Sequence, residues 1–322
     1  MILAGDIGGT STRLGLFEPA PVRPRPRLVR TVTTLDFTGL ADMVRAFSVA
    51  PEVNGAPLEA ACFGVAGPVV GNTARLTNVP WTVDTSELKR AFGIGPTVLL
   101  NDLQAMAYAV PVLEPRELHS IQSGRANRDG NMALIAAGTG LGQAMLHRVD
   151  GRLVPFPSEA GHADYAARTE REIVLLRDLT ERFGRAEVEQ VVSGMGLVNI
   201  HRLVHGTTPC LAAGNAPAAI TTAALQHRCP GCIETLEIFV ESYGAEAGNL
   251  AIRSLSTGGL FVGGGIAPKI LPALTDGRFL RAFLSKDPMR ELLTHVPVSV
   301  ILNHEAGLLG AATYAQQLLI TV

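Results

Sequence analysis

The chain begins with the stretch that decides the predicted fold, residues 1–17, which read MILAGDIGGTSTRLGLF. An apolar run leads to Asp6, the small residues Gly8-Gly9-Thr10 form a turn pattern, and Arg13 to Phe17 alternate like a returning strand. Glycines at a hairpin tip can adopt positive φ and leave N–H groups free to bind an anion. We therefore predict a phosphate-binding β-hairpin, with turn geometry alone as the alternative explanation of the glycines.

Asp6 stands at the end of the incoming strand of this hairpin. Mg²⁺ in proteins keeps several waters and takes one or two carboxylates, so Asp6 is the predicted metal residue, acting through water. Two other phosphate-binding classes are excluded. The chain contains no GxxxxGKS/T sequence, and a strand rather than the helix of a dinucleotide-binding unit follows the glycines.

Composition predicts a globular protein of two domains or one large one. The chain has 322 residues, 47% of them hydrophobic, and a formal net charge of -2 with scattered basic residues. This charge offers no footprint for nucleic acid, and no apolar run has the length of a membrane span. Because a strand pattern starts directly after Met1, no cleaved signal peptide is expected and the predicted location is the cytoplasm.

Four cysteines, at positions 62, 210, 229 and 232, are too few for a disulfide scaffold in a chain of this length. Cys229 and Cys232 form a C-x-x-C pattern, which could be a redox pair or half of a zinc site. A second ligand pair at the usual spacing is missing, and a helical pattern follows directly. The pattern therefore favours buried free thiols.

A buried strand from Thr97 to Leu100 runs into Asn101 and Asp102, and a helix follows from Leu103 to about Val110. In α/β sheets, ligands bind at the carboxyl ends of strands. We therefore predict that Asn101 and Asp102 are functional residues. The alternative is that one of them only caps the helix.

The opening pattern recurs from Met132 to Leu146, where an apolar strand, the turn Gly138-Thr139-Gly140 and a second apolar strand follow one another. Such a repeat suggests two similar halves, each with a phosphate-binding hairpin. Further on, Gly263-Gly264-Gly265 closes another apolar strand. This turn has room for an adenine or a ribose, although packing could also explain it. Ile233 to Leu255 is the longest periodic stretch and predicts a core helix.

Glu159 and His162 lie three residues apart in a predicted loop. Loops often carry function, and these side chains can hydrogen-bond a polyhydroxylated ligand. A salt-bridged surface turn is the alternative. From the pattern alone, Glu187 and Glu189 are interpreted as solvated helix charges.

Six motifs in this order resemble the bacterial ATP-dependent glucokinases, over nearly the whole chain. They are Leu3 to Thr10, Asn101 to Leu103, Ala136 to Gly142, Glu159 to His162, Ser193 to Asn199 and Gly263 to Pro268. The resemblance implies an α/β fold with two ribonuclease-H-like, actin/hexokinase-type domains around a central cleft. It implies a small domain at 1–112, completed by a C-terminal helix at 303–322, and a large domain at 113–302.

The same resemblance implies a glucokinase, which transfers a phosphoryl group from ATP, with Mg²⁺, to glucose. Asp102 would be the catalytic base for the 6-hydroxyl of the sugar. Further glucose-binding residues would be Asn101, Glu159, His162 and Glu189. The turns at Gly8-Gly9-Thr10 and Gly138-Thr139-Gly140 would hold the phosphates, and Gly264 and Gly265 would lie by the adenosine.

Three residues depart from the family pattern: Ser11, Ala160 and Met195. The ROK group of repressors and kinases differs further, because it carries a zinc motif after its Glu/His loop, where this chain has no cysteine between Glu159 and Cys210. Open alternatives are a kinase for mannose, fructose or an N-acetylhexosamine, a non-catalytic sugar sensor, and polyphosphate or ADP as donor. A homodimer is expected, without nucleic acid or membrane partners.

Overall fold

The computed structural model describes residues 1–320 except 54, 77–78, 209, 211–213 and 215. Positions 321 and 322, the end of the predicted C-terminal helix, lie outside the described residues. The chain folds into two compact units. Unit 1 comprises Met1–Glu114 together with Asn303–Val322, and unit 2 comprises Pro115–Leu302.

The main sheet of unit 1 has the strand order β3-β2-β1-β4-β8. Its strands are β1 (Ile2–Ile7), β2 (Ser11–Glu18), β3 (Arg25–Thr33), β4 (Ala60–Val65) and β8 (Thr97–Asn101). A small antiparallel sheet contains β5 (Val69–Val70), β6 (Thr73–Arg75) and β7 (Thr82–Asp84). The helices of the unit are α1 (Leu40–Ser48), α2 (Thr85–Phe92), α3 (Asp102–Ala109) and α11 (Ala306–Leu318).

Two layers of side chains bury the main sheet of unit 1. Every residue of β4 is buried, as expected for a strand covered on both faces. One face packs on α1 and the small sheet, and the other packs on α3 and α11. Gly310 of α11 allows these two helices to approach closely, because a Cβ there would lie 1.7 Å from the carbonyl oxygen of Ala105.

Unit 2 contains a sheet with the order β12-β11-β10-β13-β14-β9. Its strands are β9 (Leu118–Gln122), β10 (Met132–Ala137), β11 (Leu141–Val149), β12 (Arg152–Ser158), β13 (Gly259–Gly263) and β14 (Val298–Ile301). Its helices are α4 (Glu170–Phe183), α5 (Gly194–His205), α6 (Pro217–Leu225), α7 (Pro230–Ser254), α8 (Leu271–Leu274), α9 (Arg278–Leu284) and α10 (Arg290–His295).

The two units repeat one strand arrangement. In each unit an antiparallel hairpin, β1–β2 or β10–β11, is followed by a third antiparallel strand at the edge. The first strand of each hairpin also pairs in parallel with β4 or β13, and that strand pairs in parallel with β8 or β14. The predicted repeat of the opening hairpin is therefore confirmed.

Helix α7 is the core helix that the periodicity predicts, and it begins three residues before the predicted range. Its Tyr243 is fully buried, and the hydroxyl of Tyr243 accepts a hydrogen bond from the N–H of Ala137 at 3.2 Å. This contact ties α7 to the end of β10, next to the second glycine turn. Among the described residues, the structure contains no helix that is both long and apolar enough to cross a membrane.

Candidate active site

The turn between β1 and β2 is held by hydrogen bonds from a neighbouring loop. The Thr34 hydroxyl donates to the carbonyl of Gly8 at 2.7 Å, and the Thr34 N–H donates to the carbonyl of Thr10 at 3.0 Å. A Cβ on Gly8 would lie 2.7 Å from the carbonyl oxygen of Ser11. Glycine is therefore required at this position by close approach, while Thr10 at the tip is exposed.

Asp6 lies just before this turn, between Arg13 and α11. Its Oδ2 is 3.5 Å from Arg13 Nη1, and a Cβ on Gly307 would lie 3.1 Å from the same oxygen. Burial raises the pKa of Asp6, the charge and hydrogen bond of Arg13 lower it, and the net shift is upward. A quarter of the side chain, 26%, remains exposed. A hard cation at this carboxylate would reverse the shift, because it favours the ionised form.

Asn101 and Asp102 stand where β8 ends and α3 begins. Asn101 is the N-cap residue of α3, and its side chain accepts a hydrogen bond from the N–H of Leu103 at 3.0 Å. Asn101 therefore caps α3, and its predicted role in ligand binding stays a prediction. Asp102 is the first residue of the helix, one position earlier than predicted, and it is exposed. A carboxylate at a helix N-terminus is stabilised in its charged form by the backbone N–H groups.

The turn between β10 and β11 abuts the first turn of α5. The N–H of Gly138 donates to the carbonyl of Gly140 at 2.8 Å, and the N–H of Gly194 donates to the carbonyl of Gly138 at 2.8 Å. Gly8, Gly138 and Gly140 do not adopt positive φ, so that part of the prediction is wrong for them. A Cβ on Gly140 would lie 2.5 Å from Oε2 of Glu189, so a larger residue there would displace this carboxylate.

Gly264 is the turn position at which a positive φ is required. Its φ is +83°, and a Cβ would lie 2.2 Å from the carbonyl oxygen of Ala137. Gly265 next to it is exposed and has open space around it. The glycine turn after β13 therefore lies against the end of β10, beside the Gly138 turn.

A pocket of about 370 Å³ opens next to the Gly138 turn within unit 2. Its lining consists of Gly138 and Thr139, the first residues of α5 and α6, and the segment from Ile266 to Ile270. The walls are mostly apolar, and Lys269 contributes a cationic side chain. An aromatic base with attached phosphates fits these surroundings, because the base needs apolar walls and the phosphates need N–H groups and positive charge. Gly264 and Gly265 do not line this pocket themselves.

The segment from Glu159 to His162 forms a short 3-10 turn after β12. Gly161 in it is buried, and a Cβ there would lie 2.2 Å from the carbonyl oxygen of Leu141, so the turn rests on the start of β11. Glu159 and His162 are both exposed. Gly161 thus allows the backbone of the turn to pack tightly against β11, and the turn presents the Glu159 carboxylate and the His162 imidazole to solvent.

His162 is oriented by a neighbouring ion-pair network. Its Nδ1 lies 2.8 Å from Oε2 of Glu187, and Arg185 donates to the other oxygen of Glu187 at 2.6 Å. The hydrogen bond to Glu187 raises the pKa of His162, burial lowers it, and the charges of Glu189, Glu187 and Glu159 raise it further. Nδ1 is therefore engaged, and Nε2 is the nitrogen available to a ligand.

Glu189 reaches back to the Gly140 turn. Its Oε2 accepts a hydrogen bond from the N–H of Leu141 at 2.7 Å. The interpretation of Glu187 and Glu189 as solvated helix charges is wrong, because both carboxylates have specific partners. The structure brings Glu189 to the start of β11, on which the Glu159–His162 turn also rests.

The glucokinase family model matches residues 3–318. The chain belongs to the glucokinase family. The predicted resemblance is confirmed, and with it the enzyme class, an ATP-dependent hexose kinase.

Glucokinases from several organisms are similar to this chain over its whole length. The glucokinase of Nostoc punctiforme is 41% identical to this chain, and the alignment covers 99% of each protein. The crystal structure of a glucokinase from an Antarctic psychrotroph has a TM-score of 0.88 and 32% identity, with 98% of each chain covered. A ROK family glucokinase from Streptomyces griseus, solved with glucose and AMPPNP, has a TM-score of 0.67 at 23% identity and covers 98% of this chain and 99% of its own, a likeness of fold alone.

These likenesses confirm the predicted fold class of two α/β domains of the actin and hexokinase type. Sequence reasoning within this glucokinase-family chain nevertheless missed several residues beside the site: Arg185, Glu187, Gly194 and Lys269. One available signal was Ser193, an N-cap residue whose Oγ accepts the N–H of Gly196 at 3.0 Å. A helix start next to a glycine turn is a known anion-binding arrangement. No local signal pointed to Glu187, because its partners are remote in sequence.

Proposed function

We propose that this protein transfers the γ-phosphoryl group of ATP to the 6-hydroxyl of D-glucose, giving glucose 6-phosphate and ADP, the first step of glycolysis. The observation that carries the proposal is the full-length match to the glucokinase family, together with the pocket beside the Gly138 turn. Glucose and an ATP analogue occur together in the ROK family glucokinase from Streptomyces griseus.

Asp102 is the proposed catalytic base. Phosphoryl transfer requires mainly positioning and charge neutralisation, with one carboxylate that accepts the proton of the attacking hydroxyl. Asp102 is exposed at the start of α3, directly after β8. The N–H of Leu103 donates to Oδ1 of Asp102 at 2.8 Å, and the cap at Asn101 orients the first turn of α3.

Four other side chains are proposed to bind the remaining sugar hydroxyls: Asn101, Glu159, His162 and Glu189. Carboxylates accept hydrogen bonds from hydroxyl groups, and His162 offers its Nε2 because Glu187 occupies Nδ1. A site that hydrogen-bonds each hydroxyl rejects analogues that lack one, because its own polar groups are then left unpaired. These residues therefore determine specificity, whereas Asp102 takes part in the chemistry.

The two glycine turns are the proposed phosphate-binding elements. The turn at Gly138-Thr139-Gly140 is supported by the adjoining start of α5, whose N-terminal N–H groups favour an anion. Gly8-Gly9-Thr10 is its counterpart in unit 1. The adenosine is proposed to lie between the apolar walls of the pocket. Gly264 and Gly265 would affect this pocket indirectly, by shaping the turn next to it.

Asp6 is the proposed Mg²⁺ residue, acting through coordinated water. Its oxygen ligand is the type that Mg²⁺ prefers, and its partly exposed position leaves room for the waters that Mg²⁺ retains. The bound ion would neutralise charge on the phosphates of ATP. Arg13 holds the carboxylate in place before the ion arrives.

A coupled assay that follows ADP production tests the proposed reaction. We expect turnover that requires glucose, ATP and Mg²⁺ together, with omission of each component as the control. Absence of glucose-dependent ADP production by the folded protein would overturn the proposal. An assay that follows glucose 6-phosphate formation, run with ATP, ADP or polyphosphate as the donor, tests the phosphoryl donor.

A shifted sugar preference is the second candidate, and one observation favours it. Ala160, where relatives usually have glycine, lies inside the 3-10 turn between Glu159 and His162, so its methyl group stands beside the proposed sugar residues. Ranking glucose, mannose, fructose and N-acetylglucosamine by kcat/KM decides whether glucose or another hexose is the preferred substrate.

We also propose a cytoplasmic homodimer. Light scattering of the purified protein tests the dimer, and a monomer mass would exclude it.

A further inference from the structure

Three cysteines and two histidines of unit 2 come together outside the proposed kinase site. His201 and His205 are four residues apart on one face of α5, near its C-terminus. Cys210 follows in the connection to α6, Cys229 is the N-cap residue of α7, and Cys232 lies in the first turn of that helix. Tertiary structure therefore supplies the donors that the isolated C-x-x-C pattern lacks.

Three distances within this cluster match those between ligands of a tetrahedral metal ion. Cys210 Sγ lies 3.7 Å from Cys229 Sγ and 3.6 Å from Cys232 Sγ, and Cys229 Sγ lies 3.5 Å from His205 Nε2. Tetrahedral zinc with ordinary Zn–S and Zn–N bond lengths separates its sulfur and nitrogen ligands by roughly 3.5–3.8 Å. Disulfide bonding, with sulfurs about 2 Å apart, is excluded for these thiols in this structure.

His201 provides an independent indication of a ligand. Its side chain is 2% exposed, and its Nε2 is buried without a hydrogen-bond partner. Ligand atoms of His201, His205, Cys210 and Cys232 all lie within 4.8 Å of one another. Buried polar atoms nearly always have a partner, so an unpaired nitrogen directed at this cluster requires an explanation. A metal-bound thiolate is a strong acceptor for the N–H of His201.

The C-P-G-C sequence, Cys229 to Cys232, leaves space for the imidazole of His205. A Cβ on Gly231 would lie 2.5 Å from Nε2 of His205, so any larger residue would displace that ring. The N–H of Cys232 donates to Cys229 Sγ at 3.4 Å, which stabilises negative charge on the sulfur at the start of α7. Pro230 occupies the first helical position, where its missing N–H costs nothing.

The chemical types of the donor atoms indicate which metal ion would bind. Sulfur and imidazole nitrogen are ligands of zinc, whereas magnesium and calcium require oxygen. A redox pair would need one exposed, reactive thiol, but Cys229 is only 9% exposed and Cys232 is fully buried. A third sulfur and two imidazoles also exceed what a redox pair requires.

We propose that Cys210, Cys229, Cys232 and His205 bind a structural zinc ion, with His201 packed against the site as a hydrogen-bond donor. Binding releases the three thiol protons, and four protein ligands leave no position open for substrate. The ion would join the end of α5, the following connection and the start of α7. This inference does not rest on the proposed phosphoryl transfer.

Metal analysis of the full-length protein, purified without a histidine tag, tests the site. We expect about one zinc per chain, as for a structural site. Cys210→Ala and Cys232→Ala should lower the zinc content at least tenfold. Cys62→Ala is the matched control, because Cys62 is a buried cysteine in β4 of unit 1, and it should leave the content unchanged. His205→Ala should lose zinc, and His201→Ala should retain most of it.

A second measurement applies if the cysteine variants fail to fold. The wild-type protein is stripped with a chelator and reconstituted with Co²⁺, and we expect tetrahedral d–d bands together with a thiolate-to-cobalt charge-transfer band. Removal of zinc should also lower the melting temperature, which added zinc restores. Wild type that neither contains zinc nor shows this cobalt spectrum would overturn the proposal, as would equal zinc content in Cys232→Ala and Cys62→Ala.

Discussion

Two carboxylates of unit 1 have opposite surroundings, and their proposed roles follow from this contrast. Asp102 is exposed at a helix start, where the backbone favours its charged form. Asp6 is confined beside Gly307, where burial raises its pKa despite Arg13. An exposed carboxylate at a strand end suits a base, and a carboxylate that gains from a neighbouring cation suits a metal residue.

Removing Asp102 should affect turnover far more than binding. We expect Asp102→Ala to lower kcat by about 10²–10⁴, the usual contribution of a positioned base, with a small change in the KM for glucose. Steady-state kinetics measure both. Asp36→Ala, an exposed carboxylate in the loop after β3, is the control. Near-normal turnover of the folded Asp102 variant would remove Asp102 from its role.

Asp6→Asn should raise the thermal stability of the protein while lowering its activity at a given Mg²⁺ concentration. Because the folded-state pKa of Asp6 lies above its ordinary value of 3.8, the folded chain binds more protons, and the free energy of unfolding falls as pH rises through this window. The variant has no carboxyl group at this position, so its free energy of unfolding does not fall in this way. Without ligands it should melt a few degrees above wild type at neutral pH, and the difference should vanish below pH 3.8.

The same Asp6→Asn variant should require more Mg²⁺ for activity. Thermal melts across pH and a Mg²⁺ titration of the coupled assay measure the two effects. A variant that is less stable than wild type at neutral pH would show that the ion pair with Arg13 outweighs burial.

Glu187→Gln should alter the titration of His162. The hydrogen bond to Glu187 is the largest cause that raises the pKa of His162, so the variant's pKa should fall toward the ordinary 6.5. A raised histidine pKa contributes stability below pH 6.5 that is lost as pH rises through the folded value, and the variant should lose this contribution. NMR titration of His162 measures the shift, and Glu181→Gln on α4 is the control. An unchanged titration would contradict the role of Glu187.

Residues could be predicted from the sequence where local rules decide them. Asn101 and Asp102 follow from a strand that ends before a helix. The partners of Glu187 and Glu189 could not be predicted, since helical periodicity does not report which remote backbone or imidazole a carboxylate meets. The glycine φ prediction failed at Gly8, Gly138 and Gly140, and at Gly8 the nearby carbonyl of Ser11, rather than a positive φ, excludes a Cβ.

At the scale of elements, helix α5 links two distinct features of unit 2. Its first residues meet the Gly138 turn and line the pocket, and its C-terminal half carries both histidines of the proposed zinc site. The pocket wall and the proposed zinc site therefore share one helix as their support.

The glycine turn after β13 should tolerate substitution at one position and not at its neighbour. Gly264→Ala should lower the free energy of unfolding by about 1–3 kcal/mol, because its φ of +83° strains alanine and its Cβ would strike the carbonyl of Ala137. Gly265→Ala should leave stability nearly unchanged, because the space around it is open. Urea unfolding of both variants measures the difference, and equal stabilities would contradict this geometry.

At the scale of the molecule, the repeated hairpin made the fold predictable. The opening pattern and its recurrence at Met132–Leu146 indicate two similar halves, and both units have the corresponding strand order. The attachment of β9 to the far edge of the unit 2 sheet could not be predicted, because β9 pairs with β14, remote in the chain. The Cys/His cluster escaped prediction for the same reason, since its donors come from two helices and a connection.

Unit 1 should depend on the last helix of the chain. Leu308, Ala311, Ala312 and Ala315 of α11 belong to the core that covers β1 and β4. Truncation after Leu302 should therefore abolish amide hydrogen-exchange protection in β1 and β4 while the strands of unit 2 stay protected. Removal of residues 320–322 alone, which leaves α11 whole, is the control. Equal protection of β1 in both truncations would contradict this dependence.

The placement of α11 also orders the events of biosynthesis. A ribosome releases the chain from its N-terminus, so the hairpin of residues 1–17 emerges well before α11, the helix that covers its sheet. Unit 2 is continuous in sequence and can fold while synthesis is still under way. Residues 1–17 thus emerge before unit 2 but complete their fold only after α11 has been synthesised, and Asp6 and Asp102 reach their final setting at the same stage.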